Sequence, residues 1–193
     1  MNRNLIGRRR LIVAGLAWPA LRAWATGADA EAALRAGGVV VALRHAHAPG
    51  TFDPADFRLG DCRTQRNLND DGRAQARRIG EWFRLRQLQP ARVRSSPWCR
   101  CVDTATLAFG PPEVWAALGS PRGASETAGE VHLRELRLAL AAASAQRGRF
   151  EVWVTHMFVL SDLVQANTGS GEGLVLQAAG VDVPRVLARL PPA

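Results

Sequence analysis

Val39–Val40–Val41–Ala42–Leu43–Arg44–His45–Ala46–His47–Ala48–Pro49–Gly50 begins with five consecutive apolar residues, three of them β-branched. Such a run fits a strand buried on both faces of a central sheet. The run ends in Arg44 and His45, and Pro49–Gly50 turns the chain away. A cation and an imidazole at the carboxyl end of a central strand stand where open α/β sheets place their ligands. Arg44 offers a planar fork of donors suited to phosphate, and His45 a neutral nitrogen able to act as nucleophile or base. Taken alone, the stretch reads equally well as a strand end with two polar residues and a capping histidine.

Working outward toward the N-terminus, Gly37–Gly38 closes a short Ala-rich helix over Asp29–Ala36. Before it, Arg8–Arg9–Arg10 precedes an apolar run, Leu11 to Ala20, and Ala23–Trp24–Ala25 supplies a small-x-small site. This is the order of an export signal, and its paired arginines resemble a twin-arginine leader. Residues 1–25 are therefore expected to be a signal peptide and 26–193 a single domain, exported or periplasmic; an uncleaved anchor is the alternative. The net charge of +8 follows the same division, because residues 1–25 carry five arginines and no acid. Removing them leaves 20 Arg against 17 acidic residues, a net of +3, with no basic stripe interleaved with aromatics. The charge thus argues against a nucleic-acid partner. No stable membrane association is expected once the leader is removed. Cys62, Cys99 and Cys101 are poorly spaced for zinc. Cys62 is able to reach either of the other two if its loop packs there, which leaves one thiol over.

Downstream, residues 50–68 lack periodicity and read as a long functional loop over the strand end. Asn69 caps a helix that runs with Ala76, Ile79, Gly80 and Phe83 on one face and stops before Pro90. Arg92–Ser95 is a short strand. Ser96–Pro97 reads as cap and first position of a helix through Ala108, and Glu113–Ala117 as a further strand. A helix from Ala128 to Ala145, a strand Phe150–Val154 ending at Thr155–His156, a helix over Phe158–Asn167 and a terminal hairpin (Leu174–Gln177 with Arg185–Leu190) complete the chain. Strands alternating with helices predict a three-layer α/β/α sandwich around a mostly parallel sheet.

Three strand ends then carry complementary polar groups: Arg44–His45, Ser95–Ser96–Pro97 leading to Arg100, and Thr155–His156. If those strands are parallel neighbours, two imidazoles and two guanidiniums meet beside a helix N-terminus and form an anion pocket. Leu43–Arg44–His45–Ala46, Ser95–Ser96–Pro97–Trp98–Cys99–Arg100 through Thr104–Ala105, and Val154–Thr155–His156 resemble the histidine phosphatase superfamily, whose fold is phosphoglycerate mutase-like. The small single-domain branch with the SixA-type phosphohistidine phosphatases is the most similar. Leu68–Asn69–Asp70–Asp71–Gly72–Arg73–Ala74–Gln75–Ala76 is similar to that family's helix start, and Gly171–Glu172–Gly173 to its close.

The resemblance implies a metal- and cofactor-independent phosphatase acting on a small phosphorylated substrate. His45 would become phosphohistidine, Arg44 and Arg100 would hold the phosphate, and His156 would complete the pocket. Three departures stand out. Ala46 replaces a usual glycine and is expected to crowd the turn. Met157 follows His156 where the acid-phosphatase branch has an aspartate. No glutamate among Glu113, Glu126, Glu130, Glu135 and Glu172 has a motif behind it as proton donor. Without a positioned acid, good leaving groups are favoured. The alternative is a phosphate- or polyanion-binding protein that keeps the pocket without turnover. Arg94 reads as a rim residue selecting anions or as a solvated one. His47 and His132 are given no role, the first near the pocket mouth, the second on a solvated helix face.

Overall fold

In the computed structural model, which describes residues 27–121, 126–180 and 183–192, the Val39–Arg44 run is the strand β1 and lies inside a six-stranded sheet. The strands that follow are β2 (Arg92–Ser95), β3 (Glu113–Val114), β4 (Phe150–Thr155), β5 (Gly173–Gln177) and β6 (Arg185–Leu190). Their spatial order is β3-β2-β4-β1-β5-β6. β3, β2, β4 and β1 run parallel, while β5 and β6 are antiparallel additions, so the sheet is mixed with a parallel core. The insertion of β4 between β1 and β2 is what matters for function. It brings the ends of three strands, far apart in sequence, side by side.

Five helices cover the sheet: α1 (Gly27–Ala36), α2 (Asp70–Leu85), α3 (Cys99–Phe109), α4 (Glu126–Ser144) and α5 (Met157–Val164). Alternation along β1 divides the core in two. Val39, Val41 and Leu43 pack with Leu34, Ile79, Phe83 and Ala105 of α1, α2 and α3. Val40 and Ala42 pack with Leu136, Leu140, Leu160 and Leu163 of α4 and α5. Both faces of β1 are therefore out of water, which is why the sequence shows a continuous apolar run and no period of two. The sandwich read from the sequence is the architecture found. No described helix is long and apolar enough to cross a membrane. The expected export signal lies outside the described residues.

Local differences have local causes. Ser96 does not cap α3. Trp98 holds the cap position without a side-chain bond, and the Ser96 hydroxyl is engaged by His156 at 2.8 Å. The strand expected over Glu113–Ala117 keeps only its first two residues, because Ala116–Leu118 tighten into a 3₁₀ turn whose Ala117 and Leu118 are buried in the second core. The α5 helix stops at Val164, with Gln165 in the left-handed region.

Candidate active site

The registers of β1, β4 and β2 bring their carboxyl ends level: Arg44 pairs with Thr155, and Ser95 with Val154. The ladder runs on for one more bond on each side, His45 N to Thr155 O at 2.9 Å and Ser96 N to Val154 O at 2.9 Å. Arg44, His45, Arg100 and His156 consequently line a single cavity of about 560 Å³, joined there by Arg66 and Asp53. The His45 and His156 ring centroids are 5.5 Å apart.

Hydrogen bonds fix the tautomers. His45 Nδ1 lies 2.8 Å from the Ala46 carbonyl, which only accepts, so Nδ1 carries the proton and Nε2 the lone pair. Burial, opposed by that bond and assisted by Arg100, Arg66 and Arg44, pushes the His45 pKa down to about 3. The imidazole is neutral and nucleophilic through the physiological range. His156 Nε2 meets the Ser96 hydroxyl at 2.8 Å, and its Nδ1 faces Arg100 NH2 at 3.5 Å. Because the guanidinium only donates, Nδ1 is the unprotonated nitrogen. Burial first, then His45 and the three arginines, holds His156 well below the ordinary histidine range.

The cationic side of the cavity is strained by its own charge. Arg44 and Arg66 have lowered pKa values, first from burial and then from Arg100. The Nε groups of Arg44, Arg66 and Arg100 are all buried without a hydrogen-bond partner. Three guanidiniums line one cavity with one carboxylate among the described lining residues, a surplus of positive charge that an anion would offset. Arg44 is anchored from behind by its NH1 bond to the Thr168 carbonyl at 2.7 Å. Arg100 is anchored by Asp53, whose two carboxylate oxygens receive NH1 at 2.8 Å and NH2 at 3.3 Å. Asp53 also accepts from Arg66 N at 3.0 Å and Trp98 Nε1 at 3.3 Å. Burial opposes its ionisation, but these bonds and the Arg100 charge outweigh it and keep its pKa below the carboxylate norm.

The helix-start motif around Gly72 acts as a brace for the turn that follows β1. Leu68 and Ala76 pack on Ala46 and Ala48. Gln75 accepts from His47 N at 2.8 Å and donates to the Ser170 carbonyl at 3.0 Å, tying two loops together. A Cβ at position 72 would lie 1.9 Å from the His47 carbonyl oxygen, so only glycine allows this approach. Ala46 does not crowd the turn. Its methyl is fully buried in that small cluster, and among the described non-glycine residues only Gln87 and Gln165 have positive φ. Thr104 closes the frame, accepting from Ala46 N at 3.0 Å and donating to the Arg100 carbonyl at 2.7 Å.

Residues 40–119 match the model of the histidine phosphatase superfamily (branch 1). The resemblance carried by the motifs is thus shown over that segment. No curated protein matches the chain. Solved structures extend the likeness in fold to most of the domain. The protein histidine phosphatase SixA, complexed with tungstate, is 19% identical with a TM-score of 0.54, over 80% of this chain and 97% of that one. A phosphohistidine phosphatase described as SixA from Agrobacterium tumefaciens is 22% identical with a TM-score of 0.53, over 80% and 98%. A phosphoserine phosphatase variant from Entamoeba histolytica, in complex with phosphoserine, is 10% identical with a TM-score of 0.52, over 78% and 95%.

Asp53 and Arg66 had no motif of their own in the histidine phosphatase reading. Both lie in the 50–68 loop, and its length was the one available signal. That loop is stapled to the start of α3 by a Cys62–Cys99 disulfide, leaving Cys101 free and buried. Burial pushes the Cys101 thiol up to about 12, so it is inert. Arg94 is neither at the rim nor solvated: its guanidinium lies 4.8 Å over the Trp115 ring and faces Glu113 and Glu151. Glu113, Glu130, Glu135 and Glu172 do not line the cavity, and the side chain of Glu126 lies outside the described residues. Glu172, for example, is held by Arg189 and by Gly169 N. His47 is exposed, and His132 is half-buried in a separate small cavity beside Asp162.

Proposed function

We propose that this protein is a metal-independent phosphatase that works through a phosphohistidine on His45. The observation that carries the proposal is the meeting of an unprotonated His45 Nε2 with three guanidiniums in the lining of one cavity. In the forward step the Nε2 lone pair forms an N–P bond while the bond from phosphorus to the leaving oxygen breaks. The arginines carry the charge on the phosphoryl oxygens. The departing oxygen takes a proton from solvent, and water then attacks phosphorus, returns a proton to solvent, breaks the N–P bond and restores neutral His45 with release of inorganic phosphate. His156, its ring 5.5 Å from that of His45, flanks the phosphoryl group and completes the pocket.

Asp53 is the one carboxylate in the cavity lining among the described residues, and its four bonds hold it ionised. It is a poor proton donor. Substrates whose leaving group departs unaided are therefore favoured, such as phosphohistidine, acyl phosphates and aryl phosphates. The same fact favours a second reading, phosphate binding without turnover. Export from the cytoplasm is part of the proposal, supported by the N-terminal charge and apolar pattern and by the Cys62–Cys99 bridge, which needs an oxidising compartment.

An aryl phosphate assay with trapping of the phosphoenzyme tests the enzyme reading. Turnover that persists in chelator, a phosphoenzyme stable in base and labile in acid, and loss of both in His45→Ala are expected. Saturable phosphate binding with no phosphoenzyme and no turnover across a broad panel would establish the second reading instead.

A further inference from the structure

The cavity is far larger than the group the arginines hold. A phosphoryl group occupies a few water volumes of about 30 Å³ each, a minor share of about 560 Å³. The remaining space must belong to whatever carries the phosphate. Its walls are Phe52, Pro54, Phe57, Trp98, Met157 and Phe158.

This apolar wall starts at the phosphate itself. The Trp98 ring stands edge-on to His156 at 5.2 Å and lies nearly parallel to Phe57, 5.6 Å away and 18° off. Met157 and Phe158 follow His156 directly in the first turn of α5. Phe52, 68% exposed, stands at the mouth beside Asp53. The polar groups on this side are few: the Thr51 and Ser120 hydroxyls, and an Asp53 carboxylate already committed to Arg100, Arg66 N and Trp98. A polyol would lose its hydration here without replacement hydrogen bonds. A second phosphate would find no further cation among the described lining residues.

We infer that the substrate is a monophosphate whose leaving group is apolar or aromatic, seated between the Phe57–Trp98 pair and Phe52 and Phe158, and that these side chains set specificity. The inference rests on the phosphatase reading for its chemistry, but ligand binding tests it without turnover. Inorganic phosphate, methylphosphonate, hexylphosphonate and benzylphosphonate are titrated into the mature protein by calorimetry, with glycerol and glucose monophosphates on the His45→Ala variant, in which hydrolysis is blocked, and hexylphosphonate repeated there. Hexyl and benzyl ligands should bind at least tenfold more tightly than methylphosphonate, about two- to fourfold per buried methylene at first, with the sugar phosphates weakest of the organic ligands. Phe52→Ser and Phe158→Ser should each cost hexylphosphonate several-fold more affinity than methylphosphonate. Equal affinities for methyl and hexyl ligands, with phosphate still bound, overturn this inference and leave the phosphatase reading standing. Failure of wild-type protein to bind phosphate and every phosphonate overturns both. A graded phosphonate series in a protein that never forms a phosphoenzyme upholds the apolar subsite and removes the enzyme.

Discussion

Two regions build the cavity, and they do so by opposite means. The strand-end half comes from β1, β4 and the start of α3, where registers and ladder bonds set Arg44, His45, Arg100 and His156. The loop half, residues 50–66, has little regular structure. It supplies Phe52, Asp53, Phe57 and Arg66 and is held by side-chain bonds and one disulfide. The first half has the geometric precision that chemistry needs, while the second sets charge, shape and access. A sheet end fixes atoms through a cooperative ladder, whereas a loop is only as fixed as its individual tethers.

Breaking the strand-end half should give the largest effect. His45→Ala should lower kcat/KM at least about 10³-fold with the fold retained, since the nucleophile has no substitute. A variant retaining near-full activity would remove His45 from the mechanism. Arg100→Lys comes next, at about 10²-fold in kcat. A lysine keeps the charge but cannot span Asp53 and the phosphate at once. Rescue to within twofold would show that only charge was needed.

The loop half is probed by its staple. Reduction, or Cys62→Ser with Cys99→Ser, should destabilise the protein by about 3–4 kcal/mol from the 37-residue closure. It should also raise KM more than it lowers kcat, because Arg66 and Asp53 lose their tether. An unchanged KM at full reduction would sever the loop from the site.

The histidines set the acid limit of the strand-end half. Both are neutral when folded and protonate near pH 6.5 when unfolded, so their contribution is complete above about pH 6.5 and is lost as pH falls, for His45 down to about 3. Denaturant titrations should show a decline of about 1.4 kcal/mol per pH unit for each histidine. Phosphate should offset it by binding only the native state. A flat profile from pH 7 to 4 would contradict the buried neutral state. The smallest effect is expected at His47→Ala, within about 0.5 kcal/mol and twofold in rate. Its ring is exposed outside the cavity, and its backbone N–H makes the bond to Gln75.

The same two regions differ in how far they could be read in advance. β1 was legible because burial on both faces writes itself as an unbroken apolar run, and polar residues at its end are then conspicuous. His156 and Arg100 were legible only jointly, as motifs in order after other strands. Asp53 and Arg66 had no such signature, since nothing in an irregular loop specifies a partner 47 or 34 residues away. Ser96 differs for the same reason: Ser-Pro before a helix is a good local cap, yet its hydroxyl meets a histidine 60 residues on and takes only the Trp98 N–H, one residue before the helix.

The amino-acid sequence by itself determined the layered α/β class, the position of the strand ends and the residue types able to handle a phosphate. Periodicity and local propensity act over a few residues and survive in the linear text. Tertiary structure decided which charges meet, which nitrogen of each imidazole is free, which two cysteines join and what surface faces the leaving group. Those outcomes depend on β4 lying between β1 and β2 and on the path of one loop, distances of a few ångströms between residues that the chain keeps far apart.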